Sequence, residues 1–108
     1  MTLTPGATIV GKTVVRTYGL VHGNTIRARH VGKDILALFK NLVGGEIGEY
    51  TKLMAEAREQ AIARMVAQAA ERGANAVINV AFSTSYIMGS ASEILAYGEA
   101  VVIEDAAR

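Results

Sequence analysis

The stretch from Glu49 to Arg72 constrains this chain most. It runs for twenty-four residues without glycine or proline, and seven of them are alanine. Alanine is the strongest helix former, because it loses no side-chain entropy and buries no polar group. Tyr50, Leu53, Met54, Ala57, Ala61, Met65 and Ala69 recur at spacings of three and four and trace one apolar stripe. Glu46 and Glu49 stand near its start and Arg72 at its end, as the helix dipole favours. Gly73 supplies a terminator. At 1.5 Å per residue such a helix is roughly 36 Å long, about the width of a whole domain of this size. It must span the fold or project into a neighbour, and its small residues invite close packing.

The flanking segments read as an α+β arrangement within a single domain, residues 1–108. Thr2 to Lys12 carries one proline and two glycines and reads as an extended entry with a short strand at Ala7 to Val10. From Thr13 the pattern alternates, with Val15, Thr17, Gly19 and Val21 on one face and Val14, Tyr18 and Leu20 on the other. Gly23-Asn24 is a hairpin or bulge signal. Extended chain resumes from Thr25 to Arg29, so one bent strand and a hairpin both fit. Asp34 caps a shorter helix with an apolar face of Ile35, Leu38, Phe39, Leu42 and Val43, closed by Gly44-Gly45. Beyond the long helix, Ala76 to Ser83 and Ile94 to Ile103 alternate as two strands, with a turn around Gly89-Ser90. Val101, Val102 and Ile103 are apolar on both faces, which calls for cover on both sides, from a second subunit in so small a domain. The expected architecture is a small antiparallel sheet packed on one long and one shorter helix.

Composition narrows the function classes. The chain is 51% hydrophobic and only 19% charged, an apolar surplus that fits burial between subunits. It has no cysteine, which excludes disulfides, thiolate metal ligands and a cysteine nucleophile and fits a reducing compartment. No basic start leads into a long apolar run, so a secretory leader is not expected. No apolar run approaches the roughly 20 residues of a membrane span. Cytoplasmic localisation without a membrane partner follows. The net charge of +1 lacks the basic excess of nucleic-acid binders.

Two groups of residues are candidate sites. His22 and His30, the only histidines, could hold a divalent metal ion with a carboxylate such as Glu46, although their separation of eight residues matches no strong ligand motif. Arg27, Arg29, His30 and Lys33 form the densest basic stretch. With Gly44-Gly45 and the start of the long helix they could hold a small anion, the ligand-binding candidates being Arg29, His30 and Gly45. The run from Gly44 to Gly48 lacks the lysine and hydroxyl of a phosphate-binding loop. Ser83, Ser85, Ser90 and Ser92 sit in no nucleophile-elbow context. No catalytic residue is assigned, and the chain does not read as an enzyme.

Several motifs are collinear with a known family. Lys33-Asp34-Ile35-Leu36-Ala37 leads to Leu42-Val43-Gly44-Gly45; Tyr50, Leu53 and Ala57-Arg58-Glu59 follow in the long helix. Then come Gly73-Ala74-Asn75-Ala76-Val77 and Ala96-Tyr97-Gly98-Glu99-Ala100-Val101. Over about three quarters of its length, with Gly19 to Gly23 also fitting, the chain resembles the YbjQ-like family, which carries a heavy-metal-binding label. The resemblance implies a dodecin-like α+β subunit that assembles as a ring, a homopentamer, with Arg58 in an intersubunit salt bridge. It implies little about activity. The reading is a ligand-binding or structural module with sites at subunit interfaces; the alternative is a metal-binding protein with histidine and carboxylate ligands.

Overall fold

The computed structural model describes residues 1–27, 47–88 and 91–107. The expected helix at Ile35 to Val43, its Gly44-Gly45 stop and the turn at Gly89-Ser90 lie outside them. Among the described residues, four strands and one helix run in the order β1 (Thr2–Leu3), β2 (Lys12–Arg27), α1 (Ile47–Glu71), β3 (Ala76–Met88) and β4 (Ala91–Asp105). The strands form one sheet in the order β1-β3-β4-β2. β4 pairs antiparallel with both long neighbours, and β1 pairs parallel with β3 through Thr2↔Ala76 and Leu3↔Val77. The sheet is therefore mixed rather than antiparallel throughout. The N-terminal segment reaches β3 along its far edge, and a parallel approach needs no tight turn. The expected strand at Ala7 to Val10 does not form. Val10 is fully exposed, while the two-residue strand lies further upstream.

β2 is one continuous strand of 16 residues, not a hairpin. Register shifts between Val14 and Arg16 and between Thr17 and Gly19 bend it. Gly23, opposite Ala96, marks a close approach instead of a turn. A Cβ there would lie 2.3 Å from the Ala61 carbonyl oxygen, 2.3 Å from the Met65 nitrogen and 2.8 Å from the Arg64 Cβ. The helix backbone rests directly on the strand, and only a residue without a side chain leaves room.

The apolar stripe of α1 faces this contact. Ala57, Ala61, Met65 and Ala69 are completely buried, packed with Val21, Val77, Ile94, Ala96 and Ala100 of the sheet. The spacing of four keeps the stripe on one line, and three alanines in it let helix and sheet approach closely. α1 ends in a double bond pattern. The Ala74 N–H donates to the Ala69 carbonyl (3.1 Å) and the Gly73 N–H to the Ala70 carbonyl (3.0 Å), with Gly73 at φ 93°. That is a Schellman stop, in which glycine takes the left-handed position.

A second, smaller cluster lies on the opposite face of the sheet: Ala76, Ile78, Val101 and Ile103, with Ile9 packed against it. The cover expected over Val101 and Ile103 thus includes a residue of the chain's own N-terminal segment. Beyond that cluster, Leu20 is 61% and Ile26 47% exposed on the far face.

Candidate functional site

The densest polar construction among the described residues is the seam between α1 and the outer edge of β2. An edge strand leaves every second N–H and C=O without a ladder partner. Here the helix supplies partners. Arg64 donates to the Asn24 carbonyl (2.6 Å), the His22 N–H donates to Gln68 Oε1 (2.7 Å), and Arg72 donates to the Leu20 (2.9 Å) and Tyr18 (3.4 Å) carbonyls. The helix residues step by four, about 6 Å of rise. The strand residues step back by two, about 6.7 Å. The two periods match closely enough for three successive side chains to zip the edge. Arg72 therefore serves the strand, not the helix C-terminus as its position suggested. Below the seam, the Arg16 guanidinium lies 5.3 Å from the Tyr18 ring centroid, a cation–π contact.

The β3 side of the sheet is finished differently, inside its ladder with β4 as well as on its outer edge. Asn75 precedes β3 and acts as a further rung of the ladder. Its Nδ2 donates to the Ile103 carbonyl (3.0 Å), and its Oδ1 accepts from the Ile103 N–H (2.7 Å). Asn79 sits at φ 53°, where the register with β4 shifts between Ile78 and Ala81; asparagine is among the residues that tolerate this region. Its N–H donates to the Gly6 carbonyl (2.9 Å), and the Val80 N–H donates to the Thr4 carbonyl (3.0 Å). The N-terminal segment thereby closes the first half of the β3 edge.

His22 is exposed. It pairs with Tyr97 on the face away from α1, since Val21 and Gly23 point to the helix. No three residues among His, Cys, Asp and Glu gather to hold a metal ion among the described residues. Arg29, His30, Gly45 and Glu46 lie outside them, so neither the anion group nor the histidine pair is assembled in the described part. Arg58 is exposed. The ion pair present among the described residues is Lys12–Asp105, at the opposite end of the β2–β4 ladder. The Lys12 hydrogen bond, reinforced by its charge, holds the Asp105 carboxyl below the usual carboxylate range. One buried polar atom stands apart: Thr25 Oγ1, in a residue only 3% exposed, has no hydrogen-bond partner.

Arg64, Gln68 and Asn75 escaped the sequence reading. A signal for the first two existed, because Arg64, Gln68 and Arg72 form a polar line at spacing four beside the alanine stripe. Asn75 had only its place between a helix stop and a strand. No described helix is long and apolar enough to cross a membrane.

These features define a class: a small α+β subunit in which an alanine-faced helix is locked onto the edge of a four-stranded mixed sheet. Residues 1–104 match the YbjQ family, described as "Putative heavy-metal-binding". A UPF0145 protein of Dehalococcoides mccartyi is 56% identical over 104 residues, 96% of this chain and 100% of that protein. UPF0145 proteins of Pyrococcus horikoshii (56% identical, 89% of this chain and 82% of that one) and Clostridioides difficile (56%, 90% and 87%) are similar too. The chain belongs to this family, YbjQ or UPF0145. A crystal structure of a DUF74-family protein of unknown function from Pediococcus pentosaceus shares the fold, with a TM-score of 0.58 at 13% identity over 96% of this chain and 98% of that one.

Proposed function

We propose that the protein is a self-assembling binding or structural module, with ligand sites at the boundaries between its subunits. The carrying observation is its extension. The radius of gyration is 17.5 Å, against about 13 Å for a compact chain of this length. Its accessible surface of 7075 Å² likewise exceeds the roughly 5,800 Å² expected at its mass. The subunit is 59 Å long and 17 Å thick; among its described residues a helix covers one sheet face and Ile9 packs on part of the other, so copies of the chain are a natural further cover. The family resemblance favours a dodecin-like ring of five. On this reading the protein works in the cytoplasm without a catalytic step, a membrane or a nucleic-acid partner. Arg29, His30 and Gly45 line a small-anion site at the subunit boundary, and Arg58 pairs across it. Sedimentation equilibrium tests this directly. A ring of five sediments at five times 11.4 kDa, and a stable single chain at micromolar concentration overturns the reading.

The second reading is a divalent-metal site using His22 and His30 with a carboxylate, supported by the family's description and the exposed position of His22. Titration with zinc, copper and nickel should show binding that a His22→Ala, His30→Ala double variant loses. Equal binding by that variant removes both residues as ligands.

A further inference from the structure

The two long edges of the sheet are not finished alike. Among the described residues, no hydrogen bond reaches the outer side of β3 beyond Val80. Among the described residues the segment Ala81 to Met88 is thus an unpaired edge of eight residues, with Phe82 47% exposed and Ser83, Thr84 and Ser85 exposed beside it. Natural edges are normally blunted by charge, proline or cover, because a bare one templates pairing with another chain. Among the described residues this edge has none of those devices. Residues 73–92 carry no Asp, Glu, Lys or Arg and no proline. The same molecule zips its β2 edge with Arg64, Gln68 and Arg72, so blunting is within its repertoire.

We propose that the outer edge of β3 from Ala81 to Met88 is completed by a strand of a second copy of this chain. This rests on the self-association reading above and names the surface that mediates it. An uncharged strand meets no unmatched charge or repulsion from another copy, and nothing in it selects a charged foreign partner. The surface in excess of a compact chain, on the order of 1,300 Å², is ample for the roughly 800 Å² per partner of a stable interface. The direction of the backbone groups can also be read. The Val80 N–H points outward to Thr4, so by alternation those of Phe82 and Thr84 point outward, while those of Ala81, Ser83 and Ser85 turn to β4.

Thr84→Pro therefore removes an outward donor and leaves the β3–β4 ladder intact, as proline is tolerated on an edge. Thr84→Lys places a charge on the same exposed position without touching the backbone. The wild-type chain and both variants are compared by sedimentation equilibrium, with far-UV circular dichroism to check the fold. The expected result is an assembled wild type and a loss of assembled mass in Thr84→Lys, and in Thr84→Pro wherever it retains wild-type dichroism. If the folded variants keep the wild-type mass, the β3 edge is not the interface, while self-association stands; an occupant drawn from the same chain gives this result too. If the wild type itself sediments as a single chain, the self-association reading falls with it.

Discussion

The edge of β2 and the edge of β3 solve the same problem with different materials. On β2 the exposed peptide groups are met by side chains of α1, with Arg64, Gln68 and Arg72 reaching Asn24, His22, Leu20 and Tyr18. On β3 the first half is met by the backbone of Thr4 and Gly6, and among the described residues nothing meets the second half. Side-chain closure depends on how the helix sits. Backbone closure depends on a short segment arriving in register. The β2 edge should therefore fail as a unit when the helix shifts, whereas the β3 edge should fail locally.

The strongest way to break the first mode is to push the helix off the sheet. Ala61 is completely buried in the stripe. Ala61→Glu places an uncompensated charge there and should cost ~4 kcal/mol or more, either unfolding the chain or lifting α1. Chemical denaturation measures the loss. Amide exchange at His22, whose N–H depends on Gln68, should accelerate along with that of the core. Wild-type stability in this variant would mean that the stripe faces solvent.

Gly23→Ala is the more discriminating version, since it adds one methyl group. Its neighbours are the helix backbone at Ala61 and Met65, which no rotamer change can clear. Overpacking of this kind costs about 3 kcal/mol. The damage should spread to all three side-chain contacts on β2 while Asn75 still holds Ile103. If exchange accelerates equally at His22 and Ile103, the helix seam and the β3–β4 ladder are not independent.

Gly23 also shows where sequence reading ends. Its pairing with Asn24 is a sound local turn signal, but the glycine is there because a helix from much later in the chain lies against it, a tertiary demand with no local trace. The helix itself was legible from Glu49 to Arg72 against the observed Ile47–Glu71, since alanine content, stripe and stop all act within the segment. The two strands after it were legible from alternation, but the left-handed Asn79 and its register shift were not. The parallel β1 was missed because two residues make no period. Of His22, Arg29, His30 and Gly45, only His22 falls on described residues, and its exposure could not be read from a strand whose faces were both partly apolar.

Where β3 begins beside β4, the matching test is Asn75→Ala. It strips both hydrogen bonds from the Ile103 peptide groups and should cost about 2 kcal/mol, since a partly buried donor and acceptor lose their partners together. Exchange at Ile103 should accelerate while His22 keeps its protection. Loss at both amides would show that the end of the β3–β4 ladder, not the helix seam, governs the sheet.

The smallest effect belongs to the end of the β2–β4 ladder, where neither edge device reaches. Lys12 and Asp105 are register partners there and form an ion pair, with their side chains 40% and 88% exposed. The Lys12 hydrogen bond and charge lower the Asp105 pKa in the folded state. A folded-state pKa below the unfolded one contributes stability at pH above the unfolded value, about 3.9 for aspartate, and that contribution is lost as pH falls through the folded-state value. Exposure and salt both shrink it. The stability gap between wild type and Asp105→Asn should therefore be small at neutral pH, narrow at high ionic strength and close below the ordinary carboxylate range. Following the Asp105 carboxyl by nuclear magnetic resonance separates the cause from the consequence. Its titration should move up in Lys12→Met while the exchange of His22 and Ile103 amides stays as in the wild type. An Asp105 that titrates identically in both proteins is not paired with Lys12 in solution, and the ladder then ends without an electrostatic clasp.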